Sequence, residues 1–149
     1  MAIFFDFDEF LDVRPKAKNV KYFLANKRYD KYVNIKINFL FYSDNELLYY
    51  DRRPLEERFT TALYEHENNA FVKVIVRGGL EVNYFSVNCS PHTSGMNCVS
   101  CNSEGKKISY NTGTTSPTFK YTRLRHYYTK STEEYLIKSS RGSVFNNVT

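Results

Sequence analysis

Glycine is scarce in this chain. Its 149 residues include only six glycines, and no glycine-rich turn joins a strand to a helix. Turns of that kind hold nucleotide phosphates in many α/β enzymes, because their backbone N–H groups approach the anion closely. The common phosphate-binding loops are therefore excluded as the source of a nucleotide site.

Long apolar runs are also missing. No stretch of about 18 apolar residues occurs, which argues against a membrane-spanning helix. The apolar start of the chain is interrupted at Asp6, which argues against a signal peptide. A chain of this length buries a single sizeable core, so one domain is expected.

Dense clusters of basic residues are missing as well. The net charge is +5, from 21 Lys and Arg against 16 Asp and Glu, but the basic residues are scattered in ones and twos. In a nucleic-acid-binding protein, basic residues are normally clustered on the surface that contacts the phosphate backbone. We therefore expect no nucleic-acid partner. The 13 tyrosines and 12 phenylalanines suit either stacking on the apolar faces of sugar rings or an aromatic core and rim.

The most informative pattern that is present is an acidic one. Residues 3–10 read Ile-Phe-Phe-Asp-Phe-Asp-Glu-Phe, with Asp6, Asp8 and Glu9 between large apolar side chains. A strand over residues 2–7 would place Asp6 and Asp8 side by side at its end, with a loop following through Pro15. Paired carboxylates of this kind bind Mg²⁺ or Mn²⁺, which hold substrate phosphates in their remaining positions. The alternative is a core strand that runs into an acidic surface turn.

Two enzyme classes place an Asp-x-Asp pair at the end of a strand. In phosphatases of the haloacid dehalogenase type the motif continues with Gly-Thr or a similar pair, whereas Glu9-Phe10 follows here. No later acidic pair completes the magnesium site of that class. The second class is the nucleotide-sugar glycosyltransferases, in which the Asp-x-Asp pair holds Mn²⁺ against the donor diphosphate.

The whole chain resembles glycosyltransferase family 92 and its relatives with a GT-A fold. The opening is similar to the Asp-x-Asp-Glu-Phe strand of that family, and the family's usual Trp in the next strand is Phe39 here. Each similar block is short, but together they follow the family order from end to end. They are residues 6–10, 34–42, 53–60, 71–77, 126–131, 133–135 and 138–142.

The resemblance implies an α/β fold, namely the C-terminal half of a Rossmann-like GT-A domain, with a mixed sheet and a C-terminal helix. Residues 1–142 would form a truncated catalytic domain and residues 143–149 a polar tail, while the N-terminal nucleotide-binding half is missing. The implied location is a Golgi or secretory-pathway membrane. Membrane association would depend on segments that this chain does not contain.

The implied activity is inverting transfer of a sugar, such as galactose, from a UDP-sugar donor to a glycan hydroxyl. Asp6, Asp8 and His126 would bind Mn²⁺ or Mg²⁺, and Glu9 would join them in binding the cofactor. Glu57 is the candidate general base, because inverting transfer needs one ionised carboxylate within reach of the acceptor hydroxyl. Its alternative role is a surface ion pair with Arg58 or Arg53, and Glu9 is a further candidate base.

Basic residues surround His126 in the sequence. Arg123, Arg125 and Lys130 are candidates for contacts with phosphate, although alternation along a strand prevents all of them from facing one ligand. The alternative for His126 is a half-buried imidazole bonded to a carbonyl group.

A second cluster of candidate ligands occurs in the region rich in Ser, Asn, Thr and Gly. Cys89, His92, Cys98 and Cys101 have the spacing Cys-x2-His-x5-Cys-x2-Cys, which supplies enough ligands for tetrahedral zinc. The spacing differs from the common zinc-finger frameworks. A disulfide in an oxidising lumen and unpaired loop cysteines are the alternatives.

The remaining elements follow from composition and periodicity. Strands are predicted over residues 33–41, 71–77 and 80–87, and a long loop is predicted over residues 88–117. Residues 55–64 are predicted as a short helix or an irregular segment, and residues 118–128 as extended. Ser131 is predicted to cap a final helix that ends at Gly142.

A different class of function is also compatible with the sequence. The chain could be a non-catalytic remnant of such an enzyme that binds glycans or proteins through its tyrosine-rich surface. The donor sugar, the acceptor, the catalytic base and the state of the three cysteines are not determined by the sequence.

Overall fold

The computed structural model describes residues 1–79, 99–110 and 112–142. The predicted strand at residues 80–87 lies outside the described residues, as does the tail at residues 143–149. Cys89, His92 and Cys98 also lie outside them, so the predicted zinc or disulfide cluster is represented only by Cys101.

Strand β2 (Asn34–Phe41) is the centre of the fold, and all eight of its residues are buried. It pairs antiparallel with β3 (Val72–Val76). It also pairs in parallel with β4 (Ser100–Asn102) at its start and with β6 (Thr122–His126) at its end. β2 and β3 confirm the predictions at residues 33–41 and 71–77, and β6 confirms the extended segment.

Two outer strands complete the sheet within the described residues. β1 (Glu9–Val13) pairs antiparallel with β6, and β5 (Lys107–Ile108) pairs antiparallel with β4. The strand order is β1-β6-β2-β4-β5, with β3 attached to β2. The fold is therefore α/β with a mixed sheet and a C-terminal helix, as expected.

Helices α1 (Val20–Leu24) and α2 (Leu55–Arg58) are short, and α3 (Thr132–Ser140) is the longest among the described residues. A capping box starts α3, because the Ser131 hydroxyl accepts the Glu134 N–H and the Glu134 carboxylate accepts the Ser131 N–H. Gly142 follows its end with φ of +74°, a conformation that favours glycine. The prediction of a capped final helix is confirmed.

Polar groups are buried beside apolar ones because β2 is covered on both faces. The Lys36 ammonium, for example, donates to the carbonyl oxygens of Ser109, Tyr110 and Thr112. The Asn38 amide donates to the Asn69 carbonyl at 3.1 Å. The segments that contain Ser109 and Asn69 are thus tied to the central strand. The apolar core around β2 includes Phe23, Tyr29, Ile35, Ile37, Phe39, Phe41, Ile75 and Leu124.

Two sequence predictions are wrong in position. Residues 2–7 form no strand apart from a single bridge between Ala2 and Val76, and the strand begins instead at Glu9, inside the predicted loop. Aspartates are unfavourable within strands, so the acidic residues form a turn. The predicted loop at residues 88–117 contains β4 and β5, whose polar side chains hide the alternation that identifies a strand.

Candidate functional site

The acidic motif forms a tight turn over residues 6–9. The Glu9 N–H donates to the Asp6 carbonyl at 3.1 Å, and the Asp6 N–H donates to the Glu9 carboxylate at 3.1 Å. The turn leaves the Phe7 side chain fully in solvent while the following Asp8 is buried. The sequence predicted that Asp6 and Asp8 emerge side by side from the end of one strand. That prediction is wrong, because the two residues lie in a turn and their side chains differ in burial.

Pairing between β1 and β6 brings Asp8 to His126. Glu9 lies opposite His126 in the antiparallel register, and the Tyr127 N–H donates to the Asp8 carbonyl at 3.0 Å. The Asp8 Oδ1 atom is 3.9 Å from His126 Nε2. Two residues that are far apart in sequence, and that were predicted to share a site, are thus adjacent in the structure.

Two lysines meet the same Asp8 carboxylate. Lys138 Nζ lies 3.2 Å and Lys130 Nζ 3.7 Å from Asp8 Oδ2. Lys130 adopts φ of +56°, which is strained for a residue with a side chain, where the chain turns from β6 towards α3. The Asp8 carboxylate thus lies between two amines and an imidazole.

The His126 imidazole is nearly buried among aromatic rings. Its centroid lies 4.7 Å from the Phe39 ring and 4.8 Å from the Phe41 ring, and its Nδ1 atom has no hydrogen-bond partner among the described residues. Burial lowers the pKa of His126 to about 4, although the charge of Asp8 acts in the opposite direction. The ring is therefore neutral near pH 7, the form that binds metal ions.

Asp6 is held by a different cation. Lys73 of β3 places its Nζ 3.1 Å from Asp6 Oδ2 and 3.4 Å from Glu9 Oε2. The Lys73 and Glu9 side chains are 3% and 1% exposed, whereas Asp6 is 69% exposed. Burial raises the pKa of Glu9 and outweighs the opposing effects of its backbone hydrogen bond and Lys73. Glu9 thus stabilises the acidic turn through its hydrogen bond with the Asp6 N–H and its ion pair with Lys73.

An open cleft of about 600 Å³ lies above this cluster. Among the described residues, the acidic side chains that line it are Asp6, Asp8 and Glu134 and the basic ones are Lys130, Lys138 and Arg141, apart from His126. Four of its residues repeat along α3 and just beyond it with spacings of three and four, which places them on one helix face. The lining consists of Asp6, Phe7, Asp8, Tyr50, His126, Tyr128, Lys130, Glu134, Ile137, Lys138 and Arg141.

The start of α3 is locked against the rest of the chain. Buried Arg58 donates to the Glu134 carboxylate from Nη1 at 2.7 Å and from Nη2 at 3.3 Å. The Tyr50 N–H donates to Glu133 at 2.7 Å, which brings Tyr50 to the rim of the cleft. Burial alone would raise the pKa of Glu134, but the hydrogen bonds from Arg58 and Ser131 hold it below its ordinary value.

Glu57, the candidate base, lies on α2 with an exposed side chain and is not among the residues that line the cleft. Its neighbour Arg58 pairs with Glu134, and Arg53 pairs with Asp51 at 2.6 Å. The structure therefore does not bring Glu57 to Asp8 and His126.

Only one of the three basic residues near His126 in the sequence lines the cleft, namely Lys130. Arg123 instead binds Asp12 at 2.7 Å across the β1–β6 pair, and Arg125 donates to the Tyr127 hydroxyl at 3.4 Å. Sequence reasoning missed Lys138 and Arg141. The spacing from Glu134 through Lys138 to Arg141 along the predicted helix was the signal that pointed to them.

Asp8 and His126 are the residues that could supply protein ligands to a divalent cation here. Among the described residues no group of three or more His, Cys, Asp and Glu side chains gathers at a metal-binding distance. Mg²⁺ and Mn²⁺ commonly take one or two protein ligands and complete their shell with water and phosphate oxygens. Asp8 with the neutral His126 meets that minimum, and Asp6 lies on the same turn.

Cys101 has no contact with this cleft. It lies on β4 with its Sγ 3.8 Å from the Asn34 carbonyl oxygen. Burial raises the pKa of the Cys101 thiol to about 12, so the metal-free thiol is protonated near pH 7.

Comparisons of the chain with protein-family models, curated proteins and solved structures found no match.

Within the part of the chain that the structure describes, no helix has the length and apolar character needed to cross a membrane.

Proposed function

We propose that this protein is a metal-dependent glycosyltransferase that moves a sugar, such as galactose, from a UDP donor to a glycan hydroxyl with inversion. The observation that carries the proposal is the convergence of Asp8, His126 and three basic side chains in one cleft. The similarity of the sequence blocks to family 92, a family with a GT-A fold that acts in the Golgi, supports it.

Charge balance explains why binding of the donor would depend on a metal. Among the described residues the cleft carries three acidic and three basic side chains, and two of the bases, Lys130 and Lys138, are paired with Asp8, which limits the positive charge available to a diphosphate. A divalent cation held by Asp8 and His126 would neutralise the diphosphate as it leaves the sugar. Without metal, the Asp8 carboxylate would compete with an anionic donor for Lys130 and Lys138.

Lys130 and Lys138 are placed to hold the donor diphosphate. Both ammonium groups contact Asp8 Oδ2, and both lie on flexible side chains at the wall of the cleft. A cation on Asp8 would free these amines for phosphate oxygens, and Arg141 extends the basic edge along α3. Tyr50 and Tyr128 supply aromatic faces for a base or a sugar ring.

The base that activates the acceptor is a separate question from donor binding. Glu57 and Glu9 remain sequence predictions for that role, with Glu57 outside the cleft and Glu9 buried against Lys73. The proposal therefore depends on Asp8 and His126 rather than on either glutamate.

The proposal is tested by measuring UDP release from a panel of UDP-sugars with Mn²⁺. Asp8→Asn is expected to reduce the rate at least about a hundredfold, because the carboxylate that holds the cation is lost. Asp44→Asn changes a partly exposed carboxylate in a turn outside the cleft and serves as the matched control. Equal rates in Asp8→Asn and the parent protein, or no release from folded protein, would contradict the proposal.

A non-catalytic protein that binds glycans or partner proteins is the second candidate. Large apolar side chains exposed around the N-terminal turn and near the cleft favour it, because such patches often mark contact surfaces. Binding of a glycan by folded protein that releases no UDP would support it. These side chains are Phe4, Phe5, Phe7, Leu48, Tyr49, Tyr50, Leu136 and Ile137.

A further inference from the structure

A second hollow, of about 330 Å³, opens beside the cleft and is almost entirely aromatic. We call it the aromatic hollow. Its volume is at the lower end of the range of about 300 to 1,000 Å³ that is usual for small-molecule sites. Its walls are Phe39, Phe41, Asn68, Phe71, His126 and Tyr128.

The register of the sheet creates this hollow. Phe39 and Phe41 alternate along β2 and so share a face, and the parallel pairing sets His126 beside Phe41. The Phe39 N–H donates to the Phe71 carbonyl at 3.0 Å, which brings Phe71 to the opposite wall. Phe39 and Phe41 are buried, whereas Phe71 is 47% and Tyr128 is 42% exposed. The floor is therefore fixed by packing and the rim is open.

The chemistry of the walls selects an uncharged ligand with one apolar face. Among the described residues, no Asp, Glu, Lys or Arg lines the hollow, so a charged group there would lose its hydration without a charged partner. Asn68 is half-buried and brings an amide that both donates and accepts hydrogen bonds. Aromatic faces with an amide at the edge match a pyranose ring, whose C–H face is apolar and whose hydroxyl groups are equatorial or axial at its rim.

The hollow lies next to the cleft of Asp8. His126 and Tyr128 line both spaces, and the two rings lie 5.7 Å apart edge to face. His126 Nε2 is 3.9 Å from Asp8 Oδ1, so the imidazole that lines the hollow also contacts the carboxylate that we assign to the donor site. A sugar in the hollow is thus adjacent to the donor rather than on a remote surface.

We propose that the aromatic hollow binds a neutral hexose ring, the terminal sugar of the glycan acceptor, by stacking on Phe71 and Tyr128 above the Phe39–Phe41 floor. The assignment of this sugar as an acceptor rests on the proposed transferase function. Binding of the ring itself depends only on the hollow.

The test follows ring signals of protein labelled with ¹³C at Phe and Tyr while methyl glycosides of neutral hexoses are added. At least one glycoside should shift the signals of Phe71 and Tyr128. Cyclohexanol, an uncharged ring without the hydroxyl pattern, is the matched apolar probe and should bind at least about tenfold more weakly. Phe71→Ala should weaken glycoside binding at least about tenfold, since it removes one stacking face from an exposed position.

Tyr22→Ala is the control variant, because Tyr22 is 60% exposed and lies outside the hollow. It should leave glycoside binding unchanged. No ring shift with any glycoside, equal binding to Phe71→Ala, or tighter binding of cyclohexanol would each overturn the proposal. If Phe71→Ala is misfolded, Asn68→Ala replaces it and should weaken glycoside but not cyclohexanol binding; equal loss of both would also overturn it.

The same samples separate this inference from the transferase proposal. Glycoside binding without metal-dependent UDP binding would support the hollow and contradict the donor site. UDP binding without glycoside binding would leave the donor site in place and overturn the hollow. Phe71→Ala should leave binding of UDP with Mn²⁺ unchanged, because Phe71 does not line the cleft.

Discussion

Lys73 shows most clearly how single residues support the acidic turn. Its buried ammonium lies between Asp6 and Glu9, and the Glu9 side chain is almost completely excluded from water. Removing one partner from a buried pair leaves the other charge without compensation, whereas replacing both by apolar groups removes that cost. We therefore expect the interaction of Lys73 with Glu9 to contribute more to stability than its interaction with Asp6, because the Asp6 side chain faces solvent.

We expect Lys73→Met to lower the free energy of unfolding by about 3 to 5 kcal/mol and Lys73→Met/Glu9→Met to recover most of that loss. Urea denaturation of the parent, both single variants and the double variant measures the coupling. Asp6→Asn is the control and should change stability by less than about 1 kcal/mol, because its side chain is 69% exposed. Additive effects of the two single substitutions would refute the coupling.

His126 makes stability depend on pH. Its pKa falls from the ordinary 6.5 to about 4 in the folded protein, mainly because burial disfavours the charged ring. As the pH decreases from 6.5 to 4, the unfolded chain takes up the proton before the folded chain does. The contribution of His126 to stability is therefore fully present above pH 6.5 and is lost on acidification towards pH 4.

The loss should reach at most about 3 kcal/mol, and His126→Gln should remove it because glutamine does not titrate. The measurement is the urea unfolding free energy of both proteins at a series of pH values from 7 to 4. The parent should lose stability more steeply than His126→Gln across this range. Parallel curves would show that His126 is not held neutral by the fold.

At the scale of elements, α3 forms one side of the cleft that contains Asp8. Ser131 caps it, Arg58 holds Glu134 near its start, and Lys138 at its far end reaches Asp8. The Ser131 side chain is buried and bonds both the N–H and the carboxylate of Glu134. Fraying at the cap would therefore loosen a wall of the cleft.

Ser131→Ala is expected to lower the free energy of unfolding by about 1 to 2 kcal/mol, because the cap and a buried hydrogen bond are lost together. Ser139→Ala, at an exposed position near the end of the same helix, should change stability by less than about 0.5 kcal/mol. Thermal and urea unfolding of the two variants provide the comparison. Equal effects would show that the cap does not stabilise α3.

The elements that sequence predicted best are those whose signals are local. The capping pattern at Ser131 and Glu134 is contained within four residues, and the apolar strands β2 and β3 stand out by composition. The position of β1 was predicted wrongly, because the start of this strand is set by its pairing with β6, more than a hundred residues away. β4 and β5 were missed because their pairing with β2 and with each other, rather than their side-chain pattern, defines them.

At the scale of the whole molecule, the site depends on register more than on motif. The family resemblance predicted that Asp8 and His126 share a site, and the antiparallel register of Glu9 with His126 is what brings them together. The sequence did not indicate that Asp6 turns to Lys73 or that α3 returns its basic face to Asp8. Those contacts arise from tertiary packing, which a single sequence does not encode as a pattern.

The central claim is that the cleft of Asp8 and His126 binds a nucleotide diphosphate together with a divalent cation. Calorimetric titration of UDP into the protein, with and without Mn²⁺, tests it most directly. We predict binding that requires Mn²⁺ and is lost in Asp8→Asn but kept in Asp44→Asn. Absence of binding to folded protein, or binding that persists in Asp8→Asn, would contradict the account.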